Sequence, residues 1–341
     1  MKKSNKNLFF SFTYEFLEIY MRIQLARSVA TIESYRDALT VFRHFLRDEL
    51  KIRTDSFEFS HCTRDLILDF MNYLADKGNK PGTRNQRLAA LKSYLWFAAE
   101  KDTTLQSIAI SISRIKSCRN PQKDKPILDE QALKMLIAAP DNSKMGIRDK
   151  TIMILLYDSA ARIDEILSLR KQDLNINTDA PFIHVIGKGQ KERIIALTDM
   201  TCEHLRQYIS LYHSKNSPTT DLLFYTSIKG VIGKMSEANV ERFLKKYADM
   251  VRTEYPHIPD SVHPHMFRRT RATGLYRDGV DLSIVSRFLG HSHLETTRIY
   301  AIPSVEMVRE AIEKVPVQLS DEKPLWDKNS DEFLAKMCGL R

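Results

Sequence analysis

"HPHMFRRTRATGL", His263 to Leu275, sets two histidines and three arginines in a stretch that otherwise reads as an apolar helix. Burying that much cationic charge without a partner is costly. The segment is therefore either a solvated face or the wall of a site that receives an anion. His265 and Arg268 stand three residues apart, so on a helix their side chains share a face.

The whole chain leans the same way. It has 341 residues, 43% hydrophobic and 28% charged, an ordinary globular composition with room for about two domains. Its formal net charge of +9 suits a polyanionic partner, nucleic acid first, although solubility alone also produces such a balance. The four cysteines, Cys62, Cys118, Cys202 and Cys338, are far apart and form no C-x-x-C pair. That spacing favours neither a disulfide framework nor a zinc site, and it fits a reducing cytoplasm. Glu15 and Glu18 interrupt the apolar run of "MKKSNKNLFFSFTYEFLEIY", and no small-residue cleavage site follows, so this is not read as a signal peptide. No stretch approaches the roughly 20 apolar residues of a membrane span.

The first block reads as helices. "TIESYRDALTVFRHFLRDEL" places Tyr35, Leu39, Phe42 and Leu46 on one stripe, with Thr31 as the expected N-cap. "TRDLILDFMNYLADKG" repeats the pattern through Leu66, Phe70 and Leu74, with Gly78 as a C-cap. "PGTRNQRLAALKSYLWFAAEK" carries Leu88, Leu91 and Leu95 on one side and Arg84 and Arg87 on the other. The basic, proline-closed "KSCRNPQKDKP" reads as a linker. Beyond it the pattern is mixed. "GIRDKTIMILLYDSAARIDEILSL" reads as helical, and "PFIHVIGKGQKERIIALT" as a hairpin with glycines at its turn and a lysine at the tip. "FRRTRATGLYRD" and "DLSIVSRFL" are helical, the latter stopped by Gly290, and "SVEMVREAIEKV" is a last amphipathic piece before a polar tail.

Singly, Arg162, Lys188, His291 and Tyr300 have ordinary readings: a surface arginine, a solvated turn lysine, a helix-end histidine and a core tyrosine. In this order they resemble the tyrosine recombinases, the phage integrase family. The pieces that carry the resemblance are "SAARIDEILSL", "GKGQKER", "HPHMFRRTRATGL" and "FLGHSHLETTRIY", and it covers roughly residues 127–315. It implies a mainly α fold with a small β-sheet or hairpin. An all-helical SAM-like core-binding domain would occupy residues 1–115, a linker 116–126, a mixed α/β catalytic domain 127–315 and a tail 316–341. The active set carried over is Arg162, Lys188, His265, Arg268, His291 and Tyr300. Two departures stand out. Where the family often has glycine just before the first arginine, this chain has Ala160 and Ala161. Where it often reads H-x-L-R-H, Phe267 and Arg269 replace the leucine and the second histidine.

Phosphoryl transfer on DNA asks for such residues. Charge developing on non-bridging oxygens needs fixed cations, and guanidiniums give bidentate contacts without deprotonating. Arg162 and Arg268 are assigned that role. A phenol is a poor nucleophile at its free pKa of about 10, so His265 is the candidate base for Tyr300. Lys188 is the candidate acid for the leaving 5′ oxygen, ahead of Lys191, and His291 a phosphate ligand. Tyr276 is the runner-up nucleophile, read as a packing residue. His263, His265, His291 and His293 lack cysteine or carboxylate companions at ligand spacing, so a zinc site is set aside. Neither metal nor other cofactor is expected.

The resemblance implies a cytoplasmic enzyme without membrane attachment, acting on double-stranded DNA sites. It would work as a homo-tetramer through a 3′-phosphotyrosine and a Holliday junction, with "SVEMVREAIEKV" as the contact between protomers. Arg84 and Arg87 are candidate DNA contacts. The tail and the basic start favour a mobile element over a housekeeping resolvase. The alternatives are a catalytically silent DNA-binding regulator and a type IB topoisomerase. In the opening stretch His265 and Arg268 would face a DNA phosphate, while Arg269 and Arg271 are expected on other sides of the helix as surface residues; an added phosphate contact is the second reading for Arg269.

Overall fold

Ser28, not Thr31, starts the first long helix. In the computed structural model the Ser28 hydroxyl accepts the Thr31 N–H at 3.3 Å, and helix α1 runs Val29–Asp48. Thr31 therefore sits one turn further in than its capping chemistry suggested, because the serine three residues earlier offers the same oxygen. The structure describes residues 7–120, 125–187, 191–214, 216–291, 294–301, 303, 307–309 and 335. It divides into two units, residues 1–124 and 125–341.

The first unit is helical throughout its core. A wide-wound π-type segment, Glu15–Gln24, precedes α1, and α2 (Arg64–Asp76), α3 (Pro81–Lys101) and α4 (Gln106–Ser113) follow. Thr63 caps α2, and Gly78 closes it with φ +75°, a left-handed turn that glycine adopts without strain. The apolar stripes meet in one aromatic core of Phe9, Phe16, Phe42, Phe57, Phe59, Phe70 and Tyr94, with Leu39, Leu46, Leu74, Leu88, Leu91 and Leu95 around it. The Tyr94 hydroxyl donates to the Phe9 carbonyl, so burial leaves no orphan there. Each buried phenylalanine contributes about 1.5–3 kcal/mol.

The second unit mixes helices with two small antiparallel sheets. Helices α5 (Glu130–Ala138), α6 (Lys144–Ser159) and α7 (Ile163–Leu167) lead into strands β1 (Leu174–Asn175), β2 (Phe182–Ile186) and β3 (Glu192–Ala196). The expected hairpin pairs Val185 with Arg193 and Ile186 with Glu192, and β1 adds a third strand. Helix α8 (Asp199–Tyr212), hairpin β4–β5 (Tyr225–Ile228, Val231–Lys234) and α9 (Glu237–Arg252) follow. Helices α10 (Pro264–Arg277), α11 (Leu282–Leu289) and α12 (Glu295–Arg298) complete the unit. Helix α6 is its axis, packed against both α8 and α10. Buried Asp158 ties the end of α6 to the start of α8, accepting from the Thr198 N–H at 2.9 Å and the Thr201 hydroxyl at 2.7 Å.

The segment expected to be one helix through "YDSAARIDEILSL" is broken. Helix α6 ends at Ala160, whose φ is +46°, and α7 begins only at Ile163 with Arg162 as its N-cap. An alanine in the left-handed region carries roughly 1–2 kcal/mol of strain. Its methyl group, however, lies fully buried against Leu289 and Tyr300 in a small separate cluster, and burying one carbon contributes about 0.8 kcal/mol. Glycine would relieve the strain but lose the methyl and gain unfolded-chain entropy. We therefore expect Ala160→Gly to stay within about 1 kcal/mol of the parent. Ala160→Val, with a β-branched side chain at positive φ, should lose more than about 2 kcal/mol. Urea unfolding measures both, and a Val variant as stable as the parent would remove the backbone argument.

Candidate active site

Arg162, the first candidate cation, is placed by the helix break. Its backbone N–H donates to Glu165 Oε2 at 2.8 Å, half of a capping box, and its guanidinium reaches Oε1 of the same carboxylate at 2.9 Å. Arg193, on β3, grips Glu165 from the other side at 2.8 and 3.2 Å. Burial would push the Glu165 carboxyl up, but Arg193 and the Arg162 N–H and guanidinium hold it below the usual carboxylate range. A Cβ at Gly187 would come within 3.1 Å of Glu165, so the root of the β2–β3 hairpin also closes on this carboxylate. The Gly187 N–H donates to the Lys191 carbonyl at 2.7 Å, and Lys188 follows directly in the chain but lies outside the described residues.

Arg268 is 1% exposed. Its Nη1 donates to the Ala160 carbonyl and its Nη2 to the Leu289 carbonyl, both at 2.6 Å. These are the C-terminal ends of α6 and α11, where backbone carbonyls lack helical partners and the helix dipole is negative. Burial and the neighbouring Arg162 push the guanidinium down to about 10, which still leaves it charged at neutral pH. Gly290 ends α11 at φ +67°, and Arg193 approaches so closely that a Cβ there would lie 3.0 Å from its guanidinium carbon.

His291 follows at once. Its Nε2 lies 3.0 Å from Arg268 Nη2, and its Nδ1 2.8 Å from the Thr297 hydroxyl. Arginine can only donate, so Nε2 accepts and the ring proton sits on Nδ1, directed at Thr297. Burial, with Arg268 and Arg162 beside it, pushes His291 down to about 4. Tyr300 is 1% exposed, stacked on His291 with centroids 6.0 Å apart, and packed among Ala160, Ala272, Val285 and Leu289. Its Oη stands 3.5 Å from His265 Nε2, a loose contact of the kind that tightens on substrate binding. His265 reaches solvent, yet crowding by the protein and the charges of Arg268 and Arg269 hold it at about 4. It is therefore neutral at pH 7 and able to accept a proton.

Arg162, His265, Arg268, His291 and Tyr300 thus lie in one connected cluster. Two expectations for α10 are corrected. Arg269 is 3% exposed, not a surface residue. It lies four residues after His265, which puts it on the same helix face rather than another side. Arg271 is half-buried, 3.6 Å from Asp158 and over the Tyr157 ring. Phe267, in place of leucine, fills the main core. Tyr276 sits near the end of α10, half-buried. In the first unit Arg87 donates to Asn79 at 2.7 Å, and Arg84 has a buried Nε without a partner among the described residues. His293 lies outside the described residues; among these, no group of three or more His, Cys, Asp or Glu side chains is placed to hold a metal. Nor is any helix among them long and apolar enough to cross a membrane.

Known proteins share both sequence and fold. The model of the phage integrase family matches residues 126–307, and that of the phage integrase N-terminal SAM-like domain matches residues 15–102. The chain belongs to the phage integrase family. As a tyrosine recombinase it has curated relatives that cover more than four fifths of it. Tyrosine recombinase XerD of Oceanobacillus iheyensis is 27% identical over 287 residues, 82% of this chain and 90% of the relative. Tyrosine recombinase XerC of Chlamydia caviae is 28% identical over 316 residues, 88% and 97% of the two. In fold, the Tn1549 transposon integrase in complex with transposon right end DNA matches with a TM-score of 0.66 at 16% identity, over 88% of this chain and 98% of that one. XerH recombinase bound to difH matches with a TM-score of 0.63 at 22% identity, over 84% and 80%.

The motif reading missed Glu165, Arg193 and Thr297, although all three lay in the quoted boxes. For Glu165 a signal existed: an acidic residue three after a helix start is a capping signature. Arg193 acts across the fold on Glu165, 28 residues away, and carries no local sign, whereas Thr297 stands six residues from His291 in the same box and its hydroxyl was passed over. Two outcomes follow from the cluster. Glu165→Gln would leave two guanidiniums facing a neutral amide, and we expect a loss of about 3 kcal/mol in urea unfolding; a loss under about 1 would mean that solvent screens the cluster. His265 and His291 stay neutral in the folded protein down to about 4, whereas the unfolded chain protonates near 6.5. Stability should therefore be complete above about pH 6.5 and fall as pH drops towards 4. The slope between pH 7.5 and 5 should be shallower in His291→Gln, and an equal slope would exclude that histidine.

Proposed function

We propose that this chain is a site-specific DNA recombinase that cleaves and rejoins strands through a 3′-phosphotyrosine at Tyr300. One observation carries the reading: a phenol oxygen facing a neutral imidazole, beside a buried arginine and a second histidine. Tyr300 Oη attacks the scissile phosphorus, and its proton passes to His265 Nε2. The bond to the 5′ oxygen breaks, and Lys188 protonates that oxygen. Arg162 and Arg268 hold the non-bridging oxygens as charge develops. A phosphate oxygen would take the Arg268 hydrogen now shared with His291. The Thr297 hydroxyl can then turn and donate to Nδ1, which leaves the ring proton on Nε2 for the phosphate. The phosphotyrosine keeps the energy of the phosphodiester, so rejoining by a 5′ hydroxyl needs no ATP.

The double-stranded partner, the tetramer and the Holliday junction belong to this reading, as does a cytoplasmic setting. The segment 304–315, proposed to join protomers, lies largely outside the described residues. On the first unit Arg84 is the better phosphate contact, because Arg87 is already engaged by Asn79. We further propose that the enzyme serves a mobile element, for which the polar tail and basic start speak.

Covalent trapping tests the core of this. The protein and its Tyr300→Phe variant are incubated with nicked duplexes from the flanks of the gene. A denaturation-resistant adduct is expected from the parent alone, at least 1000-fold above the variant on the order of what a lost nucleophile costs. An adduct that persists in Tyr300→Phe would move the nucleophile to Tyr276. Specific binding without an adduct would favour the regulator, and cleavage indifferent to sequence the topoisomerase. An adduct on the flanks supports the mobile element, and one only on unrelated chromosomal DNA opposes it.

A further inference from the structure

The arginines of α10 are not treated alike. Arg268 spends its donors on two helix ends, and Arg271 faces Asp158. Arg269 is 3% exposed and has neither a hydrogen bond nor an ion pair among the described residues; its Nε, like those of Arg268 and Arg271, is enclosed without a partner, but unlike theirs its Nη atoms have no carbonyl or carboxylate there either. A buried cation without a counter-charge is strongly unfavourable. Its surroundings make this worse, since the charged Arg268 is its neighbour on α10 and the two histidines beside it, His263 and His265, are pushed towards the neutral form and offer no counter-charge. No carboxylate among the described residues approaches it. In the sequence this is also the position where the chain replaces a second histidine with arginine. An enclosed, unpaired guanidinium four residues after His265 and near Tyr300 is arranged for an anion that arrives from outside.

We propose that Arg269 is a further DNA-binding residue, whose guanidinium takes a backbone phosphate of the DNA held at the Tyr300 site. The inference rests on the reading of that site as a phosphate pocket. Phosphodiesters suit it in charge and geometry: one negative charge and paired oxygens that match a guanidinium fork. The bound phosphate would supply the counter-charge that the described residues do not.

The test uses the full chain and the nicked flank duplex, with single phosphates replaced one at a time by neutral methylphosphonates. Arg269→Met is compared with the parent and with Arg269→Lys. Removing an uncompensated buried cation should raise Tm, by a few degrees at about 2–4 °C per kcal/mol, while adduct formation falls about 10–100-fold. One methylphosphonate should slow the parent at least tenfold and leave Arg269→Met unaffected, with Arg269→Lys intermediate. The salt dependence of binding should drop by about one unit of slope. If Arg269→Met lowers Tm and keeps the parent's methylphosphonate profile, Arg269 is a packing residue and the proposal is wrong. The same holds if cleavage is unchanged. Those results leave the site itself standing as long as Tyr300→Phe still abolishes the adduct. If Tyr300→Phe does not, the phosphate pocket fails and Arg269 loses its role with it.

Discussion

A single guanidinium organises this site. Arg268 is buried, and a buried charge must be compensated. It finds two carbonyls, Ala160 and Leu289, at 2.6 Å each, and both are helix C-termini. Each helix end carries roughly half a negative charge, so two of them come close to balancing one arginine without a carboxylate. That matters for the chemistry. A carboxylate in the same place would place a full negative charge beside the pocket and repel a phosphate, whereas backbone carbonyls hold the side chain with dipoles and carry no net charge of their own.

Both helices must end where they do for this to work, and the local sequence shows how. Helix α11 stops at Gly290, a residue free to take φ +67°. Helix α6 stops at Ala160, which takes φ +46° at some strain and is held by its burial beside Tyr300. From these ends the other side chains are placed. Arg162 begins α7 two residues after the first, and His291 follows Gly290 after the second. Arg193 closes the frame by reaching from β3 to Glu165 and lying against Gly290. The hairpin root, the two helix ends and Tyr300 thus share one set of contacts around Arg268.

Much of this was legible in the order of residues. The apolar stripes of α1, α2 and α3, the Gly78 and Gly290 stops and the β2–β3 hairpin follow from spacing and turn chemistry, which act locally. The set of Arg162, His265, Arg268, His291 and Tyr300 came from its resemblance to a family, and the fold brings those five together. What stayed hidden depended on distance along the chain. The break at Ala160 was invisible because alanine is a good helix former, and only the demand for a free carbonyl overrides that propensity. Ser28 displaced Thr31 because two equivalent caps compete and packing chooses between them. Arg269 was misjudged because surface exposure is the usual state of arginine, and only the folded helix reveals the enclosure around it.

The contrast between neighbours on α10 then has a physical meaning. Arg268 has a backbone carbonyl on each Nη, which holds it in one orientation although its Nε finds no partner among the described residues. Arg269 is enclosed and has no counter-charge among the described residues, so on our proposal it costs stability until an anion comes. A protein selected for stability alone would place an apolar residue there, as the same helix does at Met266 and Phe267 in the main core. Retaining a cation makes the free pocket electrostatically strained and the occupied one relaxed. On the proposed reading, part of the binding energy of the DNA would be released only when a phosphate fills the pocket beside Tyr300, which would couple recognition of the strand to assembly of the site proposed to cut it.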